Sequence, residues 1–247
     1  MDEEFDEIVH DIIKQREHKN IIKNIESMTQ ISYIGPAYFN LYDIQKELIK
    51  FLCTNWNNSR EVCILSSRQS GISTILTMFL LDKCLSKKDE YNILLITNKN
   101  ATGAERIQFL CDTCDSNGIE YFKHTRNNIT INGNKFYSIA SHKDILYSIP
   151  RGKKLIVVYD EYAFIPDIHL QKVEDSLRGH NVYLNITTST PNGCNRFKEL
   201  YDSCENTFTV NWKDIPGRIS NWKSQQTQMI GSDAFESEYN NKFIMKK

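Results

Sequence analysis

Short apolar runs alternate with longer, helix-spaced stretches through most of the chain. Val62-Cys63-Ile64-Leu65, Tyr91 to Thr97, Leu155 to Tyr159 and Val182 to Thr188 are of strand length and almost without charge. Such continuous runs belong to strands buried on both faces. Between them, Ile72 to Leu85, Ala104 to Cys114 and Phe197 to Tyr201 read as helices, and Leu41 to Leu52 as an earlier one with Ile44, Leu48, Ile49 and Leu52 on one side. Ile129 to Asn134 followed by Lys135-Phe136-Tyr137 predicts a hairpin turning at Asn132-Gly133. Phe5, Ile8, Val9, Ile12 and Ile13, then Ile21, Ile22 and Ile25, predict one or two amphipathic helices at the N-terminus, and Gly35-Pro36 predicts a turn after them. The pattern is that of an α/β domain with a mostly parallel sheet covered on both faces. We expect an N-terminal helical extension over 1–36 and a single domain over 37–247.

Composition narrows the classes. The chain has 247 residues, 40% hydrophobic and 25% charged, which excludes a disordered or fibrous protein. The longest apolar stretch, Ile75 to Leu81, is interrupted by Asp82-Lys83, so no membrane span is expected. The N-terminus carries six carboxylates in its first eleven residues, unlike a secretory leader, and a cytosolic location follows as the expectation. A net charge of −1 restricts any nucleic-acid contact to a local patch. The seven cysteines are expected as reduced thiols, with Cys111 and Cys114 buried on a helix rather than binding metal.

Ligands of such sheets bind at the carboxyl ends of the strands, so the residues after each apolar run carry the chemistry. After the first run stands Ser66-Ser67-Arg68-Gln69-Ser70-Gly71-Ile72-Ser73-Thr74. It has the strand-loop-helix setting of a phosphate-binding loop, with Gly71 and the hydroxyl of Ser73 in place, but Ser66 at the first glycine and Ile72 at the lysine. Amides at a helix N-terminus bind phosphate without that lysine. After the third run, Asp160-Glu161 pairs a carboxylate suited to Mg²⁺ with one suited to polarising water. After the fourth, Thr188-Ser189-Thr190-Pro191-Asn192-Gly193 places hydroxyls before a turn.

These segments, with Tyr162-Ala163-Phe164-Ile165-Pro166 after the carboxylates, resemble the ATPase domain of the large terminase subunit of tailed bacteriophages over roughly Tyr38 to Phe243. The resemblance implies a P-loop NTPase of the additional-strand, catalytic-glutamate type, with ATP and Mg²⁺ as cofactors. It implies that Gln45, assisted by Asn40, reads adenine, and that Arg68, Gln69, Ser70, Gly71, Ser73 and Thr74 cradle the phosphates. Ser73 and Asp160 would hold Mg²⁺, Glu161 would activate water, and Ser189-Thr190 would couple hydrolysis to movement. Arg151, or secondarily Arg178, would reach a neighbouring subunit's ATP. Arg68 is the nearest candidate for the missing lysine's charge. Partners implied are double-stranded DNA, the portal protein of the procapsid, the small terminase subunit and further copies in a ring, in the cytoplasm of an infected host cell. The family's nuclease domain is not expected in this chain. Three readings stand at this stage. Intact Asp160-Glu161 favours an ATP-driven translocase, Ile72 favours a hydrolysis-deficient assembly subunit, and a helicase-like ATPase shares the glutamine and the acidic pair.

Overall fold

The structure, a computed structural model, describes residues 16–32, 35–142 and 149–245. The apolar positions from Phe5 to Ile13 lie outside that range. Helix α1 covers residues 16–27, and strands β1 (Thr29–Ser32) and β2 (Gly35–Tyr38) pair antiparallel after it. Gly35 and Pro36 are therefore strand residues, not the expected turn. Pro36 is accommodated because this is an isolated two-stranded ribbon, where a missing N–H breaks no inner ladder.

The expected α/β architecture follows. Its elements are α2 (Asp43–Asn55), β3 (Glu61–Ser66), α3 (Ile72–Ser86), β4 (Tyr91–Thr97), α4 (Asn100–Ser116), β5 (Tyr121–Thr125), β6 (Asn128–Ile131), β7 (Asn134–Ala140), β8 (Lys154–Asp160), α5 (Asp167–Leu177), β9 (Val182–Ser189), α6 (Arg196–Ser203), β10 (Thr207–Val210), α7 (Ser220–Ile230) and α8 (Ser232–Glu238). The strands lie in the order β10-β3-β9-β8-β4-β7-β6-β5. From β10 to β7 every pairing is parallel, and β5-β6-β7 is an antiparallel meander at one edge. The Asn132-Gly133 hairpin of that meander lies where the pattern placed it. Strand β9 is inserted between β3 and β8, so the loop after β3 and the carboxylates after β8 face each other across one strand.

Alternation within the apolar runs explains the two layers. Ile93, Leu95, Ile156 and Val158 pack on one face with α1, α2, α3 and α4. Leu94, Ile96, Leu155 and Val157 pack on the other with α5 and Phe197 of α6. Each such side chain, fully buried, stabilises the fold by about 1.5–3 kcal/mol. Helix α3 is the central one and is buried almost all round, including Asp82 and Lys83. Those two charges find partners on α1: Asn24 donates to Asp82, and Lys83 pairs with Glu17. Among the described residues no helix is long and apolar enough to cross a membrane. All seven cysteines are free, and Cys111 and Cys114 are buried on α4, where burial pushes the Cys114 thiol up to about 12.

Candidate nucleotide site

The loop from Ser67 to Gly71 is shaped by its neighbours as much as by its own residues. Gln69 and Gly71 both adopt left-handed backbone, at φ 57° and 76°. At Gly71 a side chain would be strained, and a Cβ would stand 2.8 Å from Gln45 Nε2. The loop's start is tied down by two amides, with Ser67 donating to the Val210 carbonyl and Arg68 to the Glu238 carbonyl, each at 2.8 Å. Arg218 grips its middle, donating to the Arg68 and Gln69 carbonyls at 3.1 and 2.7 Å while its guanidinium lies 4.7 Å from the Trp222 ring centroid. Gln45 donates to the Ser70 carbonyl at 3.2 Å. The carbonyls are thus turned outward and consumed. The amides from Gln69 to Thr74 donate to no acceptor among the described residues. They converge on the N-terminus of a 15-residue helix, a ready-made anion site.

These amides open into a cavity of about 580 Å³. Ser66 to Thr74 form one wall, Asp160, Glu161 and Phe164 another, and Thr188, Ser189 and Thr190 the floor between them. Ser73 Oγ donates to Asp160 Oδ1 at 2.9 Å, joining the α3 start to the β8 end. Asp160 Oδ2 accepts from Arg106 Nη2 of α4 at 3.3 Å. Glu161 stands at φ 59°, in left-handed backbone, which turns its side chain out of the strand register and into the cavity. Loss of water around it and the adjacent Asp160 push its carboxyl above the ordinary range, against the pull of Arg106, Lys99 and Arg68.

Ser189 accepts from the Ala163 amide at 3.1 Å and donates to the Thr190 carbonyl. Asn192 and Asn195 both donate to the Ala163 carbonyl. The end of β9 therefore holds the turn that directly follows Glu161. A second cavity of about 360 Å³ lies beyond the loop, lined by Phe39, Asn40, Tyr42, Gln45, Ile215 and Arg218 among others.

Most of the expected site residues meet here. Ser70, Gly71, Ser73, Thr74, Asp160, Glu161, Ser189 and Thr190 line the first cavity, with Arg68 and Gln69. One placement differs from expectation. Arg68 does not turn inward as a lysine substitute: its Nη1 donates to Glu238 Oε2 at 2.6 Å, and its side chain is 57% exposed at the rim. Its charge is neutralised there by α8. Arg151 precedes the N-terminal end of β8, a strand's length, roughly 20 Å, from Asp160 at the other end. It packs toward Gly179 and lies outside this chain's own cavity. Ile72, at the lysine position, is buried in the apolar core and lines the cavity without a donor. Sequence reasoning missed Arg106, Lys99, Arg218 and Glu238, since none lies in a motif.

No protein-family model and no curated protein matches the chain. Solved structures do. The large terminase of the thermophilic bacteriophage D6E aligns with TM-score 0.63 and 15% identity over 83% of this chain and 54% of that one. The ATPase domain of the Thermus phage P74-26 large terminase gives 0.62 and 18% over 83% of this chain and 95% of that domain. The large terminase of bacteriophage HK97 gives 0.67 and 13% over 93% of this chain and 55% of that one. The D6E protein has been solved with ADP and with ATP-γ-S. At these identities the likeness establishes the fold alone: an α/β fold with a mostly parallel central sheet flanked by helices, matching that of those ATPase domains. The chain spans about half the length of the D6E and HK97 proteins.

Proposed function

We propose that this chain is an ATP-hydrolysing motor module of a viral DNA-packaging terminase. The observation that carries the reading is the Ser73 to Asp160 hydrogen bond, set beneath free loop amides with Glu161 beside it. Hydroxyl and carboxylate oxygens suit Mg²⁺. Bound there by Ser73 and Asp160, Mg²⁺ would neutralise phosphate charge. The loop amides orient the phosphates, and Glu161, beside Asp160 in the same cavity, draws a proton from the attacking water. Ser189, Asn192 and Asn195 hold the backbone after Glu161, so displacement of that turn passes to β9 and the segment beyond it. The second cavity, with Asn40 and Gln45, is assigned to the base.

The remaining partners follow from the same reading: double-stranded DNA as the translocated substrate, a portal and small terminase subunit as docking partners, and further copies in a ring, within the infected cell. Arg151, outside its own cavity, is left with a role toward a neighbouring copy. The test is direct. Glu161→Gln should retain Mg²⁺-dependent ATP binding and lose turnover, whereas Asp160→Ala should weaken the binding itself. Hydrolysis by Glu161→Gln at the parent rate would exclude the assignment. A second reading, a nucleotide-binding subunit that does not hydrolyse, is favoured by Ile72 and by the Arg68 to Glu238 pair. Bound ATP that stays intact in wild-type protein supplemented with DNA would select it.

A further inference from the structure

A phosphate loop without its lysine must obtain positive charge from elsewhere or bind triphosphate weakly. Among the described residues three cations line the cavity: Arg68, Lys99 and Arg106. Arg68 is committed to Glu238 at the rim, and Lys99 is exposed at the N-terminal boundary of α4. Arg106 is different. Its side chain is 28% exposed and enters between α3 and β8, facing both Ser73 and Asp160. Its Nη2 reaches Asp160 Oδ2, but its Nε is buried and has no acceptor among the described residues. Nε and Nη2 form one edge of the guanidinium, the edge that matches a carboxylate or phosphate in pairs. That edge is half used. A buried donor left without an acceptor is costly, and at this cavity wall a phosphate oxygen would satisfy it.

Resting on the nucleotide reading above, we propose that Arg106 is the phosphate-contacting cation of this site, supplying from α4 what Ile72 cannot supply from the loop. Without nucleotide, Arg106 neutralises Asp160. With Mg²⁺ held by Ser73 and Asp160 and triphosphate bound, Arg106 would release Asp160 and turn its Nε–Nη2 edge onto phosphate oxygens. The site thereby keeps a fixed positive charge without a lysine in the loop. A guanidinium suits the task because it stays charged at any working pH and contacts oxygens in pairs.

The experiment is calorimetric binding of ATP, ADP and AMP with Mg²⁺ to wild type, Arg106→Ala, Arg106→Gln and Arg106→Ala combined with Ile72→Lys. Wild type should prefer ATP to AMP. Arg106→Ala should lose on the order of tenfold to a hundredfold in ATP affinity and leave AMP binding unchanged, collapsing the preference. Ile72→Lys should restore it, since that position lines the cavity. Should Arg106→Ala fail to fold by circular dichroism, Arg106→Gln carries the same test, keeping the stem and an amide donor without the charge. An ATP-to-AMP preference unchanged in the variants overturns the role of Arg106 while the nucleotide reading stands. No nucleotide binding by wild type overturns both.

Discussion

Gln45 has both ends of its amide engaged. Its Oε1 accepts from the Tyr42 amide at 3.0 Å, closing the first turn of α2, and its Nε2 donates to the Ser70 carbonyl. The side chain is buried, at 6% exposure, so both bonds are shielded from water. The residue expected to read adenine thus also pins the phosphate loop to α2. Gln45→Ala should lower the stability of the nucleotide-free protein by about 1–2 kcal/mol, the net worth of two such bonds, measured by urea denaturation. An unchanged midpoint with a lost preference for ATP over GTP would assign Gln45 to the base alone.

At the scale of elements, α4 is placed by a glycine. A Cβ on Gly103 would stand 1.9 Å from Ser138 Oγ, with Ser138 Cβ and Thr97 Oγ1 each at 3.2 Å. A side chain here would push on Ser138 and Thr97, and the close approach of α4 to β4 and β7 brings Arg106, one turn on, to Asp160. Gly103→Ala gains up to about 1 kcal/mol in helix propensity but overpacks the contact at a cost of about 1–3 kcal/mol. The overpacking wins, so thermal unfolding should show a net loss. Ser138 Oγ is buried without a partner, so Ser138→Ala should cost nothing by itself and should relieve part of the Gly103→Ala penalty. The sequence places α4 from Ala104 onward, whereas the helix starts at Asn100. A glycine in the first turn weakens the local signal while serving the tertiary contact.

Across the whole molecule, the loop after β3 is held by segments from both ends of the chain: Gln45 before it, and Val210, Arg218 and Glu238 far after it. Trp212, Phe235 and Tyr239 form a small aromatic core of their own, with Trp222 packed against it, beneath α7 and α8. That C-terminal unit therefore bears directly on the loop and on the pairing of Arg68. The Arg68 to Glu238 pair is largely exposed and worth roughly 0–1 kcal/mol of stability. Glu238→Gln should leave the unfolding midpoint nearly unchanged while freeing a cation at the cavity rim. Affinity for Mg²⁺–ATP should then rise a few-fold, by equilibrium binding at low salt, and the gain should shrink as salt is added. An affinity indifferent to both changes would mean that Arg68 never reaches the nucleotide.

The sequence by itself determined the layered architecture, the strands β3, β4, β8 and β9, and the positions of the loop, Asp160-Glu161 and the Ser189-Thr190 turn. Each is a matter of local period or of residues adjacent in the chain, and strand ends place such residues at one edge of a parallel sheet whatever else the fold does. Strands β5 and β10 were not legible, because both are edge strands that lack a continuous apolar run: β5 is exposed from Phe122 to Thr125, and β10 exposes Thr207 and Thr209. Tertiary structure alone decided the charge arrangement of the site. Arg106 meets Asp160 from 54 residues away, Arg218 meets the Arg68 carbonyl from 150, and Glu238 meets Arg68 from 170. No local pattern encodes such pairs, since a cation has no period and its partner is fixed only when helices pack. The same packing turned Arg68 outward to Glu238 and brought Arg106 to Asp160, an assignment of charge that the loop's own residues do not contain.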